Sequence, residues 1–340
     1  MDARSDIVDS ALYRKVYGCL VGGLIGDAMG APGEGKTYQQ IQEQFGELTD
    51  FQGVGTDDTA IRNILCDAIV QSGGHVTADE FAASFIRHKR EYYRLWWIPV
   101  KNMFHRIESK LALPVDAGWG NMQSSSSAMA ISPIGIVNAC NPRQASLQTF
   151  DVAGLIHSGP TGFCRDAACA LAAAVAEAFK PDATVDSILA ASVDYLHPIS
   201  SVEIVGRVDA ALSLAREEGD YTAFRARFYQ ESLLETAADA RETLPAALAI
   251  FYLARGDSNA AIRMAANFGR DADTIATMVG SLVGAFGGVE SLRPEWVAKV
   301  EANPEADYRP LAKQLAEIVL RKAAEARAAL ASLEVVAAGR

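Results

Sequence analysis

The sequence predicts an all-α protein, and three observations carry that prediction. Nearly every apolar segment recurs with a helical rather than an alternating period. Runs of β-branched residues in strict alternation are missing. Neither an internal repeat nor a Pro/Ser-rich linker long enough to mark a boundary interrupts the 340 residues, so one domain spanning 1–340 with a dozen or more helices is expected.

Residues 12–29 read as the first helix, with Gly22, Gly26 and Gly30 recurring every four positions. Such a stripe of small residues lets another backbone approach closely. Pro32 and Gly33 break it, and a short polar segment follows. Residues 59–71 form the next helix, closed by Gly73 and Gly74, and the capping pattern from Thr77 to Glu80 opens another over 81–90. The aromatic-rich stretch 92–97 ends at Trp96-Trp97-Ile98-Pro99; aromatics so grouped are either core or a lip over a ligand pocket. A polar loop over 115–127 finishes in four serines, Ser124 to Ser127. A serine run often serves as a flexible linker, but this one is short and bracketed by apolar helical segments. It equally suits a loop that holds a ligand through hydroxyls and backbone N–H groups. Further helices are expected over 145–156, 164–179, 187–195, 202–216, 242–254, 259–266, 273–286 and 310–333.

Half of the residues are apolar and only 21% are charged, so a sizeable core can be buried. The net charge of −11 argues against a surface that grips a nucleic-acid polymer through its phosphates. Five cysteines (Cys19, Cys66, Cys140, Cys164 and Cys169) are odd in number and form no CxxC pair, which fits reduced thiols. The apolar stretch at 19–31 is preceded by acidic residues, interrupted by Asp27 and rich in glycine. It therefore reads neither as a secretory signal nor as a membrane span, and a cytoplasmic location is expected.

Two short strings stand out chemically: Gly55-Thr56-Asp57-Asp58-Thr59 and Gly269-Arg270-Asp271-Ala272-Asp273-Thr274. Each sets two carboxylates and a hydroxyl just after a glycine and just before a long apolar run. At a helix start, Asp or Thr satisfies free N–H groups, and capping alone would account for either string. Two strings of the same composition suggest more. Four carboxylates and two hydroxyls are hard oxygen ligands suited to Mg²⁺, Mn²⁺ or Ca²⁺. Gathered without a cation, the four acids would repel one another and have raised pKa values. The strings are therefore expected to form two halves of one metal site.

Gly30-Ala31-Pro32-Gly33-Glu34-Gly35-Lys36-Thr37 also fits the phosphate-loop pattern GxxxxGK[ST]. That pattern has meaning after a buried strand in an α/β sheet, whereas residues 21–29 are helical in character and contain Asp27. Lys36 is accordingly not expected to act as a phosphate-loop lysine. No Gly-x-Ser-x-Gly elbow and no plausible Cys/His pairing points to covalent catalysis. His157 precedes a Ser-Gly-Pro turn and suits either a satisfied buried imidazole or a ligand contact.

Taken together, residues 18–34, GTDDT at 55–59, SAMAISPIG at 127–135, His157-Ser158 and NFGRDADTIA at 267–276 resemble, in order, the motifs of the ADP-ribosylglycohydrolase family. The resemblance spans about 17–287. It implies a single orthogonal multi-helix bundle holding two Mg²⁺ (or Mn²⁺) in a cleft, with Thr56, Asp57, Asp58, Asp271, Asp273 and Thr274 as ligands. Glu34 would lie beside the metals, and Glu34 or Asp58 would serve as base. Ser125, Ser126, Ser127, Met129, His157, Gly269 and Arg270 would contact substrate. Two departures fall where the nucleotide or ribose should sit: Ala130 stands where the family usually has arginine, and serines stand where it often has Asn-Gly.

The implied reaction is metal-dependent hydrolysis of a ribosyl glycosidic bond. It would remove ADP-ribose from an ADP-ribosylated protein or from a small molecule containing it. Two other readings are an N-glycosidase of a free nucleoside or nucleotide and a non-catalytic relative that binds ADP-ribose.

Overall fold

A computed structural model describes residues 7–339. Sixteen α-helices and no strand occur among the described residues, with two isolated bridges, Thr37 to Gly269 and Trp119 to Ser158. The all-α expectation is met.

Two helices form the centre: α1 (Ala11–Gly30) and α14 (Ala272–Gly287). They run antiparallel with backbones in contact, because the glycine stripe on α1 faces Gly284, Gly280, Ala276 and Ala272 on α14. A Cβ at Gly22 would fall 2.3 Å from the Gly280 carbonyl oxygen, and one at Gly26 would fall 1.9 Å from that of Ala276. In the other direction, a Cβ at Gly284 would lie 2.0 Å from the Gly18 oxygen. No side chain fits in such a space, so glycine is required at Gly18, Gly22, Gly26 and Gly30 of α1 and at Gly280 and Gly284 of α14. The crossing sets the end of α1 against the start of α14; a Cβ at Gly30 would lie 2.4 Å from the Ala272 oxygen.

The helices around this pair are α2 (Tyr38–Phe45), α3 (Asp57–Gln71), α4 (Ala78–Tyr92), α5 (Ile98–Glu108), α6 (Ser132–Val137), α7 (Pro142–Val152) and α8 (Gly162–Ala178). They continue with α9 (Val185–Asp194), α10 (Val202–Glu218), α11 (Tyr221–Glu231), α12 (Ala240–Leu253), α13 (Ser258–Ala266), α15 (Pro294–Glu301) and α16 (Arg309–Ala337). One buried apolar cluster joins them, from Tyr13 on α1 to Ile318 on α16. Arg62 of α3 is wholly buried within it, donating to the Leu20 carbonyl at 2.9 Å with its guanidinium 5.0 Å from the Tyr308 ring centre.

Five helices, α2, α5, α6, α11 and α15, have no counterpart among the expected segments. The polar stretch after Pro32 holds α2, started by a capping box of Thr37 and Gln40 and burying only Ile41. Pro99, expected to end the aromatic segment, instead lies in the first turn of α5, where a missing N–H costs nothing.

Candidate metal centre and ligand cavity

The first acidic string begins α3. Thr56 is its N-cap, and Asp57 and Asp58 lie in its first turn. Behind them Asp27 of α1, wholly buried, holds the turn in place. Its carboxylate accepts from the Thr56 N–H at 2.9 and 3.0 Å, the Thr59 N–H at 3.0 Å and the Thr59 hydroxyl at 2.5 Å.

The second string begins α14, with Asp271 at the cap and Asp273 in the first turn. The antiparallel seam carries it to the end of α1, where Glu34 follows. Carboxylate oxygens of Glu34, Asp271 and Asp273 come within 4.8 Å of one another. The strings also meet directly: the Thr274 hydroxyl donates to Asp58 Oδ2 at 3.3 Å, and that of Thr56 to Asp273 Oδ2 at 3.4 Å.

Backbone pairing fixes the remainder. The Arg270 N–H donates to the Lys36 carbonyl at 2.6 Å and that of Gly35 to the Arg270 carbonyl at 2.8 Å. The segment matching the phosphate-loop pattern is thus the end of α1, a 3₁₀ turn and the cap of α2, with a helix rather than a strand before it. Arg270 has a left-handed backbone, φ +63°, which a non-glycine residue keeps only when its surroundings demand it. Those surroundings are Glu242, fully buried on α12, which takes Arg270 Nε at 2.8 Å and Nη2 at 3.0 Å; the Leu234 carbonyl takes a further bond at 2.5 Å.

The electrostatics are those of crowded, dry acids. Burial, and then the charge of Asp27, pushes the Asp57 carboxyl up to about 7; burial and the Glu34 charge do the same for Asp271. Asp58 and Asp273 are raised well above the usual range, again by burial first and neighbouring carboxylates second. Two buried oxygens, Asp58 Oδ1 and Asp271 Oδ2, have no hydrogen-bond partner. Unpaired buried carboxylate oxygens are costly, and a hard divalent cation would satisfy them and reverse the repulsion. The donor set fits such an ion.

These groups line a cavity of about 380 Å³, which Asp57, Asp58, Glu34, Asp271, Asp273 and Thr274 share with Leu95, Trp97, Ser125, Ser126, Met129 and Arg270. The segment from Thr236 to Ala238 closes one side. A larger cavity, about 780 Å³, opens between α16 and α7 but contains no cluster of acids. Chemistry rather than size marks the site.

Ser127 and His157, expected to touch substrate, line no part of the 380 Å³ cavity. His157 is wholly buried and its ring ties the serine loop down from behind. Nε2 lies 3.0 Å from the Met122 carbonyl, which can only accept, so Nε2 carries the proton and Nδ1 accepts from Ser127 Oγ at 2.5 Å. Burial lowers this imidazole to about 4, keeping it neutral. All four serines are buried, and Ser125 Oγ donates to the Ala238 carbonyl at 2.9 Å, so the loop is anchored rather than a flexible linker. Gly269, another expected contact, packs against the Lys36 backbone and the Tyr229 hydroxyl instead of the cavity.

Sequence reasoning did not find Glu242 or the 236–238 segment. Nothing local distinguishes a helix-borne glutamate that meets an arginine 28 positions later. The aromatic run carried a partial signal: Trp96 is core while Trp97 faces the cavity.

Comparison with known proteins adds a consistent set of likenesses. A family model described as ADP-ribosylglycohydrolase matches residues 9–328. The uncharacterized protein YegU of Escherichia coli (strain K12) is 26% identical over 336 residues, covering 89% of this chain and 96% of that one. An uncharacterized protein of Archaeoglobus fulgidus is 26% identical over 295 residues, with 81% and 88% covered. A solved structure described as an ADP-ribosylglycohydrolase-related protein complex superposes with a TM-score of 0.68. It is 24% identical and covers 91% of this chain and 99% of that chain, a likeness of fold.

Proposed function

The chain belongs to the ADP-ribosylglycohydrolase family, and from that premise we propose that it hydrolyses a ribosyl glycosidic bond in the acid-lined cavity, releasing ADP-ribose from a modified side chain or a small molecule. One observation carries the reading. Carboxylates from three distant segments, at Glu34, Asp57-Asp58 and Asp271-Asp273, converge on one cavity and leave two buried oxygens unpartnered. Two Mg²⁺ or Mn²⁺ ions are the proposed cofactors, with Thr56, Asp57, Asp58, Asp271, Asp273 and Thr274 as ligands. Bound there, such ions would supply Lewis-acid polarisation and an activated water.

The protein's own groups divide the remaining work. Glu34 is the one exposed acid of the cluster, so its carboxylate can accept the proton of the attacking water, a contribution of about 10²–10⁴ in rate. Asp58, held by the Thr274 hydroxyl, is the alternative base. Ser125, Ser126 and Met129 form the wall that meets the ribose, and Leu95 and Trp97 shield the bond from bulk water. The same reading treats 1–340 as one domain, which the continuous buried cluster supports.

A second reading rests on Arg270. It is the one cationic residue along the cavity lining, and Glu242 already engages its guanidinium. A pyrophosphate would meet no uncommitted side-chain cation there, which favours a free nucleoside as substrate. The test is product analysis by mass spectrometry, with Mg²⁺, Mn²⁺ or chelator, on ADP-ribosylated peptides, ADP-ribose derivatives and nucleosides. Release of ADP-ribose that chelation abolishes is expected. Free base from nucleosides alone would replace the first reading with the second, and tight binding of ADP-ribose without any product would leave a non-catalytic relative.

A further inference from the structure

The C-terminal helix, α16, is packed for about half of its length and bare for the rest. Ala312, Leu315, Ala316 and Ile318 are buried, whereas every residue from 324 to 339 is exposed. Yet its apolar pattern does not stop where the body ends. Ala312, Ala316, Val319, Ala323, Ala326, Leu330, Leu333 and Ala337 alternate steps of four and three, the heptad spacing of a helix that pairs with another helix. Leu330 is 56% and Leu333 63% exposed, so the outer half of the stripe has no partner in the described chain.

We propose that this face is an interface with a second copy of the same chain, in which the two α16 helices pair antiparallel. This goes beyond the catalytic reading and does not depend on it. The charges choose both partner and direction. With Leu330 and Leu333 as the core positions, Arg327 and Glu334 each follow a core residue on the same side of the stripe, one heptad apart. Neither side chain has an ion pair within the described residues. Two such helices run antiparallel place Leu330 opposite the partner's Leu333 and, by symmetry, make the Arg327–Glu334 pairing twice. Run parallel, they place the two copies of this flank on opposite sides of the seam, and both Arg327–Glu334 pairings are lost.

Area also argues for the arrangement. From 323 to 337 the helix is about 22 Å long, and a helix-to-helix strip of that length falls short of the roughly 800 Å² per partner of a stable complex. The deficit is met by the 780 Å³ groove beside it, lined by Ala323, Ala326 and Ala329 of α16, with Ala139 and Leu147 opposite. In the antiparallel pairing Ala326 lies opposite the partner's Ala337. Each helix tip, with Val336 and Ala337, therefore enters the other copy's groove.

Sedimentation of the full chain, wild type and four variants tests this. The wild type is expected to dimerise. Arg327→Glu and Glu334→Arg should each weaken the dimer at least tenfold, because each makes two like-charge contacts. The double variant Arg327→Glu/Glu334→Arg should restore it, since the exchanged charges pair again across the two-fold axis. Leu330→Glu should be monomeric and melt as wild type does when diluted below its dimerisation range, as the exposed site contributes nothing to the monomer's fold. A monomeric wild type at 100-fold the concentration used for assay would overturn the proposal, whatever other protein binds the helix. A dimer indifferent to the single charge changes, or not restored by the double, would overturn the antiparallel pairing.

Discussion

Asp27 and Asp273 are both buried acids of the same site, but they differ in what their oxygens touch. Asp27 accepts four hydrogen bonds from the start of α3, whereas Asp273 accepts only the Thr274 N–H and the Thr56 hydroxyl and otherwise faces other acids. Replacing either by Asn should lower Mg²⁺ affinity and turnover, by about 10²-fold or more, for different reasons. In chelator, Asp273→Asn should melt no lower than wild type, because it relieves like-charge repulsion. Asp27→Asn should melt lower, by about 1–3 kcal/mol of stability, since an NH₂ replaces an acceptor facing N–H groups. A chelator melt of both variants, with metal titration by calorimetry, separates positioning from ligation. Equal melting behaviour would undo that separation. His157 makes a second prediction. Burial holds its folded-state pKa at about 4, below the ordinary 6.5, so the neutral ring contributes stability above pH 6.5 that is lost as pH falls toward 4. At about 1.36 kcal/mol per pH unit this amounts to roughly 3 kcal/mol. His157→Gln should therefore flatten the acid limb of a stability–pH curve; an unchanged slope would show that the ring does not enter the fold neutral.

At the scale of elements, the seam between α1 and α14 does two jobs at once. It forms the centre of the core and it fixes the spacing of Glu34, Asp271 and Asp273. Gly26→Ala should cost at least about 2 kcal/mol, since its Cβ would collide with backbone rather than with a side chain that can turn away. It should lower metal affinity as well, although residue 26 touches no carboxylate of the cluster. Gly206 of α10 is the control: nothing lies within 4 Å of its added Cβ, so Gly206→Ala should stabilise by about 0.5–1 kcal/mol. Denaturant midpoints for both variants check the opposite signs. Long helices that bury a broad apolar face were legible in the sequence, as with α8 and α14, whereas α6, buried at all six positions, was too short to show a period. Helices with a narrow face were missed as well: α11 buries only Phe224 and Phe228, and α15 only Trp296 and Val300.

For the whole molecule, the acidic cluster couples ion binding to folding. An ion held by the folded chain alone adds about 2.7 kcal/mol at 100 times its Kd. For a chain of 340 residues that corresponds to a rise of roughly 4 °C in melting temperature. Mg²⁺ or Mn²⁺ should produce this shift and excess chelator should abolish it, whereas Na⁺ at equal ionic strength should do little. A melt indifferent to both divalent ions would return the two strings to helix capping. No described helix is long and apolar enough to cross a membrane, and one buried apolar cluster runs through the described helices.

The sequence by itself determined the helical class and the two acidic strings with their caps, because period and capping depend on residues only a few positions apart. It also held the small-residue stripe of α1 and the heptads of α16. What those stripes meet was decided by tertiary structure alone: α14 in the first case, and for the outer half of α16 nothing within the described chain. The assembly of Glu34 with Asp57 and Asp271, the capture of Arg270 by Glu242, and the placing of His157 behind rather than in the cavity are likewise tertiary. Each depends on where two separate backbones cross. For Glu34 and Asp271 that crossing is the seam of α1 and α14, whose glycine stripe shows where a backbone comes close but not which backbone it is.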